Sequence, residues 1–338
     1  MNVRQVVPRD AIPSVDDPTF RDAHDDPDDE VIVVESDPPR AYPVRYLDYH
    51  EIVNDRLDPD GWPAADGSET DDDDTAPDGD EGLPVAVTWC PLCGSAVVYS
   101  RRVAGHELEF GVSGKLADDD LVMYDRQTGT EWKQSTGEAI AGELAGERLT
   151  ALPAATTTWR ALRDRSPAAV VLAPPGGRSE AAGEGDDPAP VEYDDDPYRA
   201  YFEADGFGLA AHRGEGSRED WSLDLDPKAV VLGVERDGDA AGVPVEWVRE
   251  AGGAVRLSVG DDSAVVLASE AGAFAYAAPP FDDAFERVEP DRFAADGATW
   301  DAVTGESDDG RRLRRLPVRR LFAFAWRDDH GTEAFRFP

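Results

Sequence analysis

Hydrophobic positions along the chain fall in short runs, many alternating with polar ones, and not at the three-to-four spacing of long amphipathic helices. The segments VIVVE (31–35), PVAVTWC (84–90), SAVVYSRRV (95–103), ELEFGV (107–112) and VVLGVE (230–235) are rich in β-branched and aromatic side chains and are bounded by turn residues. Successive side chains of a strand point to opposite faces, so these runs predict strands with one or both faces buried. One segment departs from this pattern. In AYPVRYLDYHEIVND (41–55) the apolar residues Tyr46, Leu47, Ile52 and Val53 are separated by polar ones, which predicts a short helix with His50/Asn54 and Glu51/Asp55 as i, i+4 pairs. The fold class expected is mostly β, with a few short helices.

The chain also repeats itself. WKQSTGE at Trp132 recurs as WDAVTGE at Trp300, and GERLTALP at Gly146 recurs as GRRLRRLP at Gly310. SAVV at Ser95 recurs at Ser263, and each copy lies 37 residues before its tryptophan. AYPVRYL has a fainter echo in GVPVEWV. These matches predict a duplicated β unit: a first copy over 1–173 with an acidic loop at 58–82, an acidic Gly/Pro-rich linker over 174–228, and a degenerate second copy over 229–338. Features shared by both copies are assigned to the fold, with Trp132 and Trp300 as core aromatics and Gly137 and Gly305 as turn formers. Features of one copy need another reason. At the offset of the SAVV match, Cys90 faces Ser258, Cys93 faces Asp261, and LVMYDR (121–126) faces EPDRFA, so chemistry is expected in the first copy.

Charge changes the picture of the surface. Of 338 residues, 72 are acidic and 33 basic, and all the basic ones but Lys115, Lys133 and Lys228 are arginine. A formal charge of −39 repels itself in dilute buffer, whereas at molar salt the screening length falls to about 3 Å. The composition resembles that of halophilic proteins. Nucleic acid is excluded as a partner, since RRLRR (311–315) is the one basic run and is interleaved with leucine. No stretch approaches the roughly eighteen apolar residues of a membrane span, and MNVRQVVPRDAIPSVDDPTF has no apolar leader core. A cytoplasmic location is expected, where thiols rest reduced. Acidic stretches at 16–30, 66–81 and 174–197 are expected to be loops.

The chemistry-bearing motif is TWCPLCGSAVVY (88–99), which holds the chain's two cysteines, Cys90 and Cys93. Three readings follow. A thiol redox pair needs an activated thiolate. The strand-like GSAVVY that follows lacks the helix N-terminus of a thioredoxin site, so His50 as imidazolium and Arg126 are the groups expected to tune it. A metal module would use C-P-x-C-G as a ligand knuckle for copper or zinc, with Cys90, Cys93 and His50 as ligands; two thiolates suit copper(I), while zinc wants four donors. The third reading is a structural turn in a scaffold protein. Ser113, Tyr124 and Asp125 read as structural, and His106 as a solvent-facing turn residue. The partner is expected to be a redox protein or a metal donor.

The segments IPSVDDPTF, AYPVRYLDYHEIVND, PVAVTWCPLCGSAVVYSRRVAGHELEFGVSG, DLVMYDRQTGTEWKQSTGEAIAGELAGERL and DPKAVVLGVE together resemble the DUF3179 family. That family is described as including selenoprotein members. A selenocysteine at a cysteine position of this motif would imply redox chemistry at Cys90 and Cys93.

Overall fold

The computed structural model describes residues 1–58, 82–183, 187–218 and 220–336; the acidic stretch 66–81 lies outside them. Strands predominate, joined by short helices, as the alternating pattern predicts. Six strands of the first half are Glu30–Val34 (β1), Arg40–Pro43 (β2), Ile52–Leu57 (β3), Leu83–Cys90 (β4), Ser95–Ser100 (β5) and Ala154–Thr158 (β6). Six of the second half are Val230–Arg236 (β7), Asp239–Pro244 (β8), Ala254–Val259 (β9), Asp262–Ser269 (β10), Gly272–Ala277 (β11) and Arg319–Phe322 (β12). One large sheet has the order β2-β1-β6-β11-β10-β9, extended beyond β2 by Val170–Leu172 and Phe20–Arg21. The other has the order β8-β7-β12-β5-β4-β3. Exchanging each strand for its counterpart turns one order into the other, so the halves are related by duplication and each sheet draws strands from both.

The crossing between sheets has a local cause. Each hairpin, β1–β2 or β7–β8, ends in a proline, Pro43 or Pro244, with φ −60° and ψ 127° or 126°. A ring-locked φ and a missing N–H stop the ladder while permitting a helical turn to follow. The helices Val44–His50 (α1) and Val245–Glu250 (α2) then carry the chain to the other sheet. There β4 is buried at all its positions. Its Val85, Val87 and Trp89 join the core formed with Val34, Tyr42 and Leu47, while Ala86 and Cys90 join the core that holds Met123 and Trp132. A nearly continuous apolar run is what a strand covered on both faces requires.

Smaller antiparallel sheets complete each half. The first meander comprises Phe110–Ala117, Asp120–Asp125, Glu131–Lys133 and Ala139–Ala141, joined by Val3–Gln5; the second comprises Glu286–Glu289, Arg292–Ala295 and Ala298–Asp301. The shared motif is structural in both. Trp132 and Trp300 are buried. Gly137 and Gly305 share a φ of 72°, and a Cβ on them would stand 2.8 and 2.6 Å from the rings of Tyr99 and Tyr276. Those tyrosines donate to the carbonyls of Gln134 and Ala302, each at 2.7 Å.

The SAVV match does not mark equivalent strands, since Ser95 opens β5 whereas Ser263 lies in β10. Three of the four arginines in 311–315 are held by carboxylates: Arg311 by Asp309 and Asp296, Arg312 and Arg315 by Glu35. The segment 174–228 contains short elements, including the helices Arg199–Glu203 and Gly208–His212, that lie against the first half. No helix among the described residues is long and apolar enough to cross a membrane.

A helix near the end of the chain, Ala323–His330 (α3), lies across β7 and β8. Its Trp326 covers the paired glycines Gly233 and Gly242, where a Cβ would come within 2.1 and 2.4 Å of the indole. Gly233→Ala is expected to destabilise the fold by about 1–3 kcal/mol, because the ring has nowhere to withdraw. Urea unfolding at fixed high salt measures this.

Candidate functional site

The cysteines sit where the two halves differ in length. In the second half, paired Ser269 and Gly272 are joined through the two residues 270–271; in the first, paired Cys90 and Ser95 enclose the four residues 91–94. Backbone hydrogen bonds fix the correspondence, because Trp89 N–H donates to Glu51 O and Ala268 N–H to Gly253 O, both at 2.8 Å. The counterpart of Cys90 is therefore Ser269, and Cys93 belongs to a lengthened turn with none. The turn is pinned on several sides. Tyr201 Oη donates to Leu92 O at 2.6 Å, Phe322 N–H to Cys93 O at 2.7 Å, and Arg320 Nη1 to Gly94 O at 2.7 Å. Gly94 has φ 55° with the Phe322 ring against it, which favours glycine there.

This geometry brings the two Sγ atoms to 2.7 Å. Cys93 Sγ–H donates to Asp120 Oδ1 at 3.0 Å, and Ser135 N–H donates to Asp120 Oδ2 at 2.9 Å. Asp120 is aimed inward by the left-handed pair Asp118 and Asp119, with φ 53° and 69°. Behind it, Lys133 Nζ pairs with Asp329 of α3, and Ser135 Oγ donates to Asp329 Oδ2 at 2.7 Å. Burial pushes both thiols up, Cys93 the further because Cys90 and Asp120 add to it. Burial also raises Asp120, against the opposing pull of Lys133. Burial alone would lower Lys133, but Asp329 and Asp120 hold it above the usual lysine value. The resting centre is thus a neutral dithiol hydrogen-bonded to a carboxyl group.

Cys90, unlike Cys93, lines a cleft of 610 Å³ together with Pro91, Leu92, Glu51, Glu180 and Tyr198. Glu51 is buried, and its Oε2 finds no hydrogen-bond partner among the described residues. Burial, with Glu180, Asp48 and Asp120 nearby, pushes its carboxyl up to about 8. Asp48 accepts from Trp89 Nε1–H at 2.8 Å, and burial pushes it to about 7.

His50 and Arg126 are engaged elsewhere. α1 ends at His50, since Glu51 takes φ 57° and β3 begins at Ile52, so the expected i, i+4 pairs with Asn54 and Asp55 do not form on one helix. His50 Nδ1 donates to Pro13 O at 2.9 Å, and its Nε2 accepts from Tyr193 Oη at 2.7 Å. Burial lowers its pKa. A neutral ring with both nitrogens bonded offers neither an imidazolium nor a ligand atom. Arg126 pairs with Asp16 at 2.7 Å and with Glu109, and donates to Ser14 Oγ at 2.9 Å, tying down the N-terminal segment. Tyr124 donates to Asp10, and Asp125 accepts from Trp132 Nε1. Among the described residues the group able to surround a cation is Cys90, Cys93 and Asp120, whose donor atoms lie within 4.8 Å of one another. Asp120 and Asp329 carry no signal in the sequence, and Glu51, named there only as a helical partner of Asp55, carries none of a place beside the thiols.

A duplicated β protein with a buried dithiol–carboxyl centre opening on one cleft is the class that fold and site define. Residues 9–61 and 77–333 match the family described as "Protein of unknown function (DUF3179)", and the chain belongs to it. No curated protein and no solved structure matches the chain.

A carboxyl raised on folding keeps its proton more tightly in the native state. The native state therefore binds more protons than the unfolded one from about pH 4 up to the raised values, and stability falls as pH climbs through that window. Asp48→Asn and Glu51→Gln are each expected to flatten this fall. Urea midpoints at acidic and mildly alkaline pH, in the same salt, read it.

Proposed function

We propose that the chain is a thiol–disulfide exchange protein in which Cys90 is the entering thiol, Cys93 the resolving thiol and Asp120 the base for Cys93. The observation that carries this reading is the asymmetry of the pair: two sulfurs in contact, one on the cleft and the other held by a carboxyl group behind it. Cys90 Sγ attacks one sulfur of a substrate disulfide; the Sγ–S bond forms, the substrate S–S bond breaks, and the outer sulfur leaves as a thiol. Asp120 then takes the proton of Cys93, whose sulfur attacks Cys90 Sγ; the mixed disulfide bond breaks, and the second substrate sulfur leaves as a thiol with the proton returned by Asp120. The substrate gains two electrons and two protons, and the protein gains a Cys90–Cys93 disulfide.

Burial keeps both thiols protonated until a base acts, so reactivity is confined to what enters the cleft. A volume of 610 Å³ suits a small-molecule disulfide. The reading includes a reducing compartment, in which the pair rests as dithiol. Neither His50 nor Arg126 has a part in it.

Oxidation of the full chain with 2-hydroxyethyl disulfide in molar salt is the test. The expected result is a metal-free protein with a reversible Cys90–Cys93 disulfide. Cys93→Ser should accumulate a mixed disulfide on Cys90, and Asp120→Asn should slow its resolution by about 10- to 100-fold. Stoichiometric copper or zinc that is lost in Cys90→Ser, or a pair that does not cycle, would overturn the reading.

A further inference from the structure

The two halves offer an internal comparison for one side chain at the dithiol. Glu51 and Gly253 occupy the same point of the duplicated unit. Each donates its backbone N–H to a helix carbonyl, Leu47 O or Val248 O, at 2.7 Å, and each accepts at 2.8 Å from the strand beside it, from Trp89 or Ala268. Both have left-handed backbone, φ 57° and 92°. Glycine adopts this conformation freely, whereas a Cβ makes it unfavourable. The second half uses the unstrained residue. The first half accepts a strained one, and then buries its carboxyl with Oε2 unpartnered.

Neighbouring groups do not repay that arrangement. The groups acting on the carboxyl are Glu180 on the turn Glu180–Ala182, Asp48 on α1 and Asp120 on the first meander, all of them acidic. Tyr198 and Cys90 share the same cleft, as do Lys115, His212, Arg213 and Glu215, and none of these last four is among the groups that act on Glu51. Glu51 lies opposite Trp89 across the β3–β4 ladder, one residue from Cys90. A long acidic side chain, placed at a glycine position beside the entering thiol, calls for a role at that thiol.

We propose that Glu51 is the proton carrier for Cys90, taking the thiol proton as the sulfur attacks and returning it to the sulfur that leaves. The inference rests on the exchange reading above and assigns the base that reading leaves open. As Cys90 Sγ bonds to the substrate sulfur, its proton passes to the Glu51 carboxylate. The substrate S–S electron pair departs with the outer sulfur, which receives the proton from Glu51. The carboxylate is restored, and no other reactant is needed. Proton transfer is efficient between groups of similar affinity, and a carboxyl near 8 stands much closer to a thiol than an ordinary one does.

Alkylation of Cys90 by iodoacetamide across pH, in the full chain carrying Cys93→Ser, is the test. With Glu51→Gln or Glu51→Gly the rate at neutral pH should fall at least about tenfold and the inflection near pH 8 should disappear. Glu51→Gly should be at least as thermally stable as its parent, since glycine suits the backbone there; a slower but not weaker protein separates a proton-transfer role from a structural one. Either variant keeping the parent's rate and inflection would overturn the inference. Disulfide cycling in the protein with both cysteines separates the two proposals. If the parent cycles and Glu51→Gln cycles equally fast, only the role of Glu51 fails. If the parent does not cycle, the exchange reading fails, and the alkylation profile still decides whether Glu51 governs the Cys90 proton.

Discussion

The hydrogen-bonded ladders between the halves are the constraint on which the rest of the structure depends. β6 meets β11 through Thr156–Ala273 and Thr157–Gly272, and β12 meets β5 at Arg320–Ala96. Without these junctions each large sheet would split between the halves, three of its labelled strands on either side, and both pieces would have unpaired edges and uncovered apolar faces. The dithiol stands next to one such junction. Its turn joins β4 to β5, and its carbonyls are held by Phe322 and Arg320 from the other half. A site confined by sequence to one copy is therefore braced by both.

The same interlocking governs the buried charges. Arg319 of β12 donates to Tyr99 Oη at 2.6 Å and to Glu235 at 2.7 Å, while Arg315 pairs with Glu35 at 2.6 Å. Each arginine lies beside one tyrosine of the duplicated motif, and each salt bridge ends on the strand end of a hairpin. Planar guanidinium groups make several directed hydrogen bonds at once, which suits a chain that is nearly all arginine among its basic residues. Removing one partner from such a buried pair strands the other charge, which costs more than the intact pair contributes.

Much of the fold was legible in the sequence. Alternation gave the strand class, and W-x-x-x-T-G-E gave the duplication, because tryptophan and glycine in both copies answer to one packing demand around Tyr99 and Tyr276. Strand exchange was not legible. Apolar periodicity says which face of a strand is buried and is silent on which strand lies beside it. The SAVV match set β5 against β10, where its counterpart is β11, so that Ser258 stood in for Ser269. At the site, the two cysteines were visible because the chain has no others, but Asp120 and Glu51 were hidden among 72 acidic residues. What sets them apart is burial and a missing partner, neither of which is a property of residue type. His50 was expected beside the sulfurs as an imidazolium or a ligand, and its ring instead bonds Pro13 O and Tyr193 Oη.

The tie between Lys133 and Asp329 spans 196 residues. A ribosome adding about 5–20 residues per second needs roughly 10–40 s to cover that interval. During that time a growing chain already displays both sulfurs, but the carboxylate that neutralises Lys133 behind Asp120 has not been made. The centre is finished late in biosynthesis. The brace behind Asp120 therefore closes only once α3 has been made, long after both cysteines.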